Sequence, residues 1–434
     1  MAANDSGPEY VVKDDALLPV TDYISNMAPI PPSRMFLIKQ SLKAYTESVP
    51  GGTTFDASQG DGGASLGGVP AEVLEEAHRL QLEHGTAYDM PYGCDAFRKS
   101  VIEDYWRVDE PTGLTPANVV ACQGGRDALV KAYTAMLTLG EGRIGDVLVT
   151  TRVPWISYNW GPYGVGANVM LAPGDASTGW AYSPQTIQAC VDRAARDGRK
   201  IACLVITSPD NPTGNTLSAD KQVALGKAAL RAGARYVLYD WMYHWVTDES
   251  PMDLSVFLQH FDSAERSRVL ILDGITKSLG ASNIRNAHLI ADELIVKFIQ
   301  SRASHAVIPS FHSQAVAIAA FRAGFRRAAA PIIEPTNASR EVLREFVDAN
   351  SMTAITGKGY YAFIDVSKWL RAADMQDSAE LGEYLAKQHG VAVVPGVFFS
   401  VHGADWIRFS YALPPETTLG ALRRFMEGLN ALSR

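Results

Sequence analysis

Short apolar runs alternate with longer amphipathic segments along the centre of the chain. Six runs have the length and apolar content of buried strands: 118–123, 146–153, 168–173, 201–208, 234–241 and 268–274. The segments between them, such as 126–139, 184–198 and 219–233, are typical of helices. Strands that alternate with helices predict βαβ units, and therefore an α/β fold with a mostly parallel sheet covered by helices on both faces.

The two ends of the chain have different patterns. The N-terminal part is rich in proline and glycine with one short helical patch at 36–46, which favours an arm that wraps another subunit. After a long helix near 328–350, strand candidates at 359–370, 391–396 and 406–413 and a final helix at 417–432 predict an α+β lobe. We therefore predict an N-terminal arm with part of a small domain at 1–66, a large domain at 67–325 and a small C-terminal domain at 326–434.

Composition narrows the class of protein. The 434 residues are 47% hydrophobic and 20% charged, as is usual for globular proteins of more than one domain. The net charge of −8 argues against a surface for nucleic acid or anionic membranes, and no run of 18 apolar residues occurs. The scattered Cys94, Cys122, Cys190 and Cys203 form no CxxC pair, which favours reduced thiols over disulfides or zinc. These features indicate a soluble cytoplasmic protein, most consistent with an enzyme.

Polar residues follow four of the predicted strands. The carboxyl ends of parallel strands meet at one edge of a sheet, where ligands bind in open α/β folds. Taken singly, the glycine loop is a tight turn or an anion site, the aspartate a helix cap and the lysine a solvated charge. Their order instead describes a cradle for a phosphorylated aromatic cofactor with an electrophilic carbon. The residues are Gly125 and Arg126 in QGGRDAL, Asn211 in SPDNPTG, Asp240 and Tyr243 in DWMY, and Lys277 and Arg285 in TKSLGASNIR.

These motifs resemble the fold-type I pyridoxal 5'-phosphate (PLP) enzymes of the class I/II aminotransferase family. The resemblance runs from about Ser58 to the last helix and includes SPDNPTG, YDWMY, TKSLGASNIR, the segment PGVFFSVHGADWIRFSYA and the tyrosine–x4–glycine element that begins at Tyr88. It implies a large domain with a mostly parallel seven-stranded sheet and a smaller α+β domain. It also implies PLP as the cofactor and a homodimer with active sites at the subunit interface.

The resemblance assigns roles around the cofactor ring. Lys277 is expected to bind the cofactor aldehyde as a Schiff base and then to shuttle a proton. Asp240 is expected to keep the pyridine nitrogen protonated, while Asn211 and Tyr243 bind the ring hydroxyl. Trp155, Ile156 and Tyr158 all compete to stack on the ring, and we favour Trp155.

The resemblance also assigns residues to two anionic groups, the phosphate of the cofactor and the α-carboxylate of the substrate. The cofactor phosphate is expected to contact the backbone of Gly125 and Arg126, the side chain of Arg285, and Tyr88 from the partner subunit. Arg408 is expected to bind the substrate α-carboxylate, with Asn211 beside it; the alternative is an ordinary salt bridge in the small domain.

The chain departs from the family pattern at three places near the site. Gly274 stands where many members have serine or threonine, and Ala287 stands where glycine is usual. The glycine-rich segment 58–68 lacks the usual proline. We hypothesise that Arg126 compensates for the missing hydroxyl at Gly274, and we interpret His288 as a packed core residue.

The leading hypothesis is an enzyme that acts on an L-α-amino acid, by default an aminotransferase with a 2-oxo acid as its second substrate. The alternative keeps the fold and cofactor but catalyses elimination, replacement or cyclisation, as in natural-product biosynthesis, and the motifs do not separate the two. A PLP-binding transcription regulator of the MocR type is disfavoured, because the N-terminal segment is short and the charge is acidic. The substrate side chain is left open, with Arg302 as one candidate for an acidic substrate.

Overall fold

A computed structural model describes residues 12–18, 30–31 and 34–432; the predicted arm at 1–11, 19–29 and 32–33 lies outside these residues. The β-strands are β1 (Phe55–Asp56), β2 (Val119–Cys122), β3 (Val147–Thr150), β4 (Asn168–Leu171), β5 (Ile201–Thr207), β6 (Tyr236–Asp240), β7 (Val269–Asp273), β8 (Ala287–Ile290), β9 (Ala354–Thr356), β10 (Tyr361–Asp365), β11 (Val391–Ala392), β12 (Val394–Pro395) and β13 (Trp406–Ser410).

The α-helices lie between and around these strands. They are α1 (Met35–Ser48), α2 (Ala71–His84), α3 (Asp95–Ser100), α4 (Gly125–Leu139), α5 (Ile156–Asn159), α6 (Pro184–Arg196), α7 (Ala219–Ala232), α8 (Leu254–Gln259), α9 (Ser263–Arg266), α10 (Glu293–Ala303), α11 (Phe311–Arg322), α12 (Phe325–Ala349), α13 (Ser367–Ala372), α14 (Ser378–His389) and α15 (Pro415–Ala431). A π-helical turn, Val101–Tyr105, continues α3.

The large sheet has seven strands in the order β2-β8-β7-β6-β5-β3-β4. Neighbours from β7 through β4 pair in parallel, whereas β8 is antiparallel to both β2 and β7. Its strands are buried almost throughout because helices cover both faces. The predicted mostly parallel seven-stranded sheet is confirmed, and all six central strand predictions are present. The additional strand, β8, has only four residues and was not predicted from its apolar pattern.

A second sheet is built from the C-terminal part of the chain. Its strands follow the order β12-β13-β10-β9 and are antiparallel. β1 pairs in parallel with β11, and Ile38 of α1 packs in the same apolar cluster as Phe399 and Trp406. Residues of β1 and α1 therefore pack against the C-terminal part of the chain, and the predicted domain limits stay a prediction.

The link between β7 and β8 carries the Lys277 segment, and the two strands approach closely at its base. A Cβ atom at Gly274 would lie 2.7 Å from the Cα of Ala287 and 2.8 Å from the Asn286 carbonyl oxygen. The two departures from the family pattern, Gly274 and Ala287, thus face each other across one tight contact. A serine or threonine at position 274 does not fit this arrangement.

Membrane-spanning and metal-binding features were sought in the part of the chain that the structure describes. No helix in residues 12–18, 30–31 and 34–432 is long and apolar enough to cross a bilayer. The same residues contain no group of histidine, cysteine and carboxylate side chains able to hold a metal ion. The four cysteines are buried and free, and burial raises the pKa of the Cys122 and Cys190 thiols to about 12.

The close contact at Gly274 predicts that even one added methyl group is harmful. Gly274→Ala should cost about 1–3 kcal/mol, because the new Cβ meets backbone atoms that have no room to move. Thermal unfolding measures this as a lower midpoint. Gly164→Ala is the control, since a Cβ there meets no atom within 4 Å. Equal midpoints for the two variants would contradict the tight packing of β7 against β8.

Candidate active site

A cavity of about 730 Å³ opens at the carboxyl ends of β5, β6 and β7. Another cavity, of about 800 Å³ and lined by Tyr105, Trp245 and Phe325 among others, contains none of the predicted site residues. We therefore place the candidate active site in the first cavity on the chemistry of its walls. Nine of the ten predicted residues line it: Gly125, Arg126, Trp155, Asn211, Asp240, Tyr243, Lys277, Arg285 and Arg408.

Lys277 projects into this cavity from the segment that follows β7. Its Nζ donates a hydrogen bond to the Gly60 carbonyl, and its own carbonyl accepts a bond of 2.5 Å from the Tyr360 hydroxyl. Removal from water lowers the pKa of Lys277, and the Arg408 and Arg126 cations act in the same direction. The amine is therefore closer to its neutral, nucleophilic form than a surface lysine is.

Asp240 is the last residue of β6 and is buried. Its carboxylate accepts a 2.6 Å bond from the Tyr158 hydroxyl and a 3.0 Å bond from the Met242 N–H. Burial raises the pKa of Asp240 to about 6, and these two donors oppose the rise. The carboxylate is consequently anionic at neutral pH and available to a cationic ligand.

Tyr158 was considered only as a stacking candidate, and its bond to Asp240 was missed. Its ring meets Trp155 edge-on, with centroids 5.5 Å apart. Both residues belong to one turn around α5. Their three-residue spacing signals that the two side chains lie together, but it does not signal the bond to Asp240. Trp155, Ile156 and Tyr158 all line the cavity, and the Tyr158 hydroxyl donates to the Asp240 carboxylate. Stacking by Trp155 stays a prediction.

Arg408 reaches the cavity from β13 and is held by two hydrogen bonds. It donates from Nη1 to the Asn211 side-chain oxygen and from Nη2 to the Ser58 carbonyl, both at 2.8 Å. Its guanidinium lies 4.2 Å from the centre of the Tyr361 ring, and its buried Nε has no hydrogen-bond partner. No carboxylate among residues 12–18, 30–31 and 34–432 forms an ion pair with it, which disfavours the salt-bridge alternative for the described chain.

Tyr243 and Tyr361 form a pair beside Lys277. Their hydroxyls share a hydrogen bond of 3.0 Å, and burial raises the pKa of Tyr243 well above its ordinary value. A Cβ at Gly60 would approach within 2.5 Å of the Tyr361 hydroxyl, so the glycine-rich segment also packs closely here. Tyr361 was missed because no motif in the sequence marks it.

The residues predicted to hold the cofactor phosphate also line the cavity. Helix α4 begins at Gly125, where the first N–H groups of a helix have no partner within the helix. Arg285 donates to the carbonyls of Ser282 at 2.6 Å and Gln123 at 3.4 Å. Burial and the nearby Arg285 cation both lower the pKa of Arg126, as expected for two positive charges that lie close together.

Two residues singled out in the sequence, Tyr88 and His288, lie apart from this cavity. Tyr88 is 95% exposed, so the chain by itself does not bring it to the site, and its expected reach across a dimer stays a prediction. His288 is fully buried and accepts a hydrogen bond from Trp106; burial lowers its pKa to about 4. It is a core histidine, as its surroundings in the sequence suggested.

Known proteins resemble this chain both in sequence and in fold. The family model described as aminotransferase class I and II matches residues 53–425. The aspartate aminotransferase of Geobacillus stearothermophilus is 24% identical over 368 residues, which is 83% of this chain and 88% of that protein. The aspartate/prephenate aminotransferase of Thermus thermophilus is also 24% identical, over 82% of this chain and 87% of that one.

Solved structures agree on the architecture. Aspartate aminotransferase from Thermus thermophilus with maleate superposes with a TM-score of 0.77 at 23% identity, covering 93% of this chain and 98% of that chain. An aminotransferase from Mycobacterium tuberculosis gives a TM-score of 0.79 at 20% identity over 95% and 100%. Because the family model spans most of the sequence and the fold agrees, this chain belongs to the class I and II aminotransferase family and is an enzyme with the fold-type I architecture.

Proposed function

We propose that this enzyme is a pyridoxal 5'-phosphate-dependent aminotransferase that moves the amino group of an L-α-amino acid to a 2-oxo acid. One observation carries the proposal: a lysine of lowered pKa shares a single cavity with a buried carboxylate and with separate cationic sites for two anions. Lys277, Asp240, the Arg126–Arg285 pair and Arg408 are its four parts. The family match over residues 53–425 supports the same conclusion.

The residues present fit PLP. Arg126, Arg285 and the start of α4 would hold its phosphate, because converging cations and free helical N–H groups need an anion. Asp240 would hold the ring nitrogen, Asn211 and Tyr243 the ring hydroxyl, and Trp155 one ring face. When bound, the cofactor would supply an electrophilic aldehyde and a ring that withdraws electrons.

Lys277 would act as both the covalent anchor and the proton carrier. Its Nζ would accept a proton from the substrate α-carbon and later donate it at a different carbon atom, which requires an amine that is neutral for part of the time. The lowered pKa meets this requirement. The bond from Tyr360 to the Lys277 carbonyl holds the backbone in place while the side chain moves.

Asp240 would stabilise positive charge on the ring nitrogen through its anionic form. Two donors, the Tyr158 hydroxyl and the Met242 N–H, orient the carboxylate and favour its charged state. Burial raises the pKa of Asp240 to about 6, and a cationic ring nitrogen beside the carboxylate would lower it again.

Arg408 would bind the substrate α-carboxylate and orient the α-carbon toward Lys277. Its unpaired Nε leaves a donor available, and the bond from Nη1 to Asn211 fixes the plane of the guanidinium. The relatives named aspartate aminotransferases support an acidic amino acid as the first substrate to test. Elimination, replacement or cyclisation would use the same residues and is not favoured by these relatives.

The assembly and location are also proposals. We propose a homodimer in which Tyr88, almost fully exposed here, completes the phosphate site of the partner subunit. Four buried free thiols favour the reducing cytoplasm. The acidic net charge offers no surface for nucleic acid.

The first prediction concerns Lys277. Purified enzyme loaded with PLP should show a visible absorbance band that aspartate bleaches and a 2-oxo acid restores. Lys277→Ala should not form the lysine-linked species and should lose at least roughly 10³-fold in rate, since it lacks both anchor and proton carrier. Lys297→Ala, which removes an exposed lysine of α10, is the control. Wild-type behaviour of Lys277→Ala would refute the proposed function.

The second prediction concerns Arg408. Arg408→Lys should lower kcat/KM for amino acids about 10- to 100-fold, because a hydrogen bond to a charged group contributes about 1.5–3 kcal/mol. The affinity for PLP should stay unchanged, since the substrate carboxylate alone loses its paired donor. Arg371→Lys, at an exposed site in α13, serves as the control. An unchanged kcat/KM in Arg408→Lys would exclude this role.

The third prediction concerns Arg126. Arg126→Ala should weaken PLP binding about 10-fold, since it removes one of two cations from the phosphate site. Binding of pyridoxal, which lacks the phosphate, should not change. Titration of the apoenzyme with both compounds measures the two affinities. Equal PLP affinity in wild type and Arg126→Ala would show that Arg126 does not compensate at this site.

A further inference from the structure

The segment between β7 and β8 is a long hairpin whose loop carries both Lys277 and Arg285. Its base is the antiparallel rung in which Asp273 pairs with His288. We name residues 273–288 the Lys277 hairpin. The covalent anchor and one phosphate arginine therefore depend on the placement of a single rung.

Two consecutive residues, Tyr105 and Trp106, each donate a hydrogen bond to one residue of this rung. The Tyr105 hydroxyl donates to Oδ2 of Asp273 at 2.5 Å. The Trp106 indole N–H donates to Nε2 of His288 at 3.0 Å. All four side chains are buried, and none of them lines the candidate active site.

Further hydrogen bonds fix the direction of these contacts. The Met252 N–H donates to Nδ1 of His244, so Nε2 of His244 carries the proton and donates to Asp273 at 2.7 Å. The Trp245 indole donates to the Tyr105 hydroxyl at 2.7 Å, which leaves the Tyr105 proton for Asp273. Asp273 is therefore held by two side-chain donors.

The same carboxylate connects this network to the Lys277 segment. Oδ1 of Asp273 accepts the Gly274 N–H at 2.6 Å. Gly274 in turn packs closely against Asn286 and Ala287 on the other arm of the hairpin. A displacement of Asp273 would thus move the backbone that leads to Lys277 and the backbone that leads back from Arg285.

The backbone around Tyr105 and Trp106 is unusual on both sides. The π-helical turn Val101–Tyr105 ends at the first of them, and Arg107 follows the second with a φ of 49°, in the left-handed region that non-glycine residues seldom adopt. Such irregularities cost free energy and are concentrated at functional sites. Here they direct two adjacent side chains onto the two residues of one rung.

We propose that Tyr105 and Trp106 are positioning residues that clamp the base of the Lys277 hairpin and so place Lys277 and Arg285 relative to each other. The inference rests on the proposed function, because it concerns how the chain presents these groups to PLP. A purely apolar core would fill the same space without a buried carboxylate, whose removal from water is costly. The network offsets that cost and links the core to the site.

Titration of the apoenzyme with PLP and with pyridoxal tests the clamp. Tyr105→Phe should weaken pyridoxal binding about 10-fold through misplacement of Lys277, and PLP binding further still through Arg285. Tyr182→Phe is the matched control: it removes a buried hydroxyl that donates at 2.8 Å to the Val205 carbonyl, away from the hairpin. The control should lose thermal stability but keep both affinities.

A milder variant covers the case in which Tyr105→Phe does not fold. Trp245→Phe removes the bond to the Tyr105 hydroxyl, keeps an aromatic ring beside Tyr105 and Phe325, and should weaken both affinities by a smaller factor. The clamp is wrong if the folded variants bind PLP and pyridoxal as the control does. If the wild-type apoenzyme binds neither compound, the proposed function has failed and the clamp with it.

Discussion

The close pairing of β7 with β8 is the constraint on which the rest of the site depends. Because Gly274 has no side chain and Ala287 has a small one, the two strands meet closely just before the chain turns into the cavity. The intervening loop then carries Lys277 toward Asp240 and returns Arg285 to the start of α4. One local contact between backbones thus relates Lys277, the proposed covalent anchor, to Arg285 at the proposed phosphate site, and Tyr105 and Trp106 are bonded to the same rung.

The charged side chains around the cavity determine which groups the site can bind and activate. Arg126, Arg285 and Arg408 surround a cavity in which Asp240 is the buried anion at the end of β6. The positive surroundings favour a neutral Lys277 and also attract the phosphate and carboxylate groups of the expected ligands. Burial raises the pKa of Asp240, and the hydrogen bonds from Tyr158 and Met242 limit this rise. The cavity therefore contains a nucleophilic lysine, a carboxylate anion and two cationic sites for anions, and each group keeps the charge state that its role requires.

The sequence predicted those parts that depend on strand order. Consecutive parallel strands end at one edge, so Asn211, Asp240 and Lys277 had to converge once the strands were recognised. The strand β8 escaped prediction, although β2, β3 and β4 are equally short, because His288 interrupts its apolar run. Tyr158, Tyr361 and Tyr105 escaped because their partners are far away in the chain and tyrosines in apolar segments are typical of any core. The role of Tyr88 depends on a second copy of the chain, which sequence patterns do not place.

The most direct test of the central claim is to locate the cofactor on the chain. Enzyme loaded with PLP is reduced with borohydride, which makes a lysine-linked cofactor permanent, and its peptides are then examined by mass spectrometry. The account predicts the added pyridoxyl group on Lys277 and its absence from all other lysines in the presence of limiting PLP. A modified lysine elsewhere, with Lys277 untouched, would contradict it.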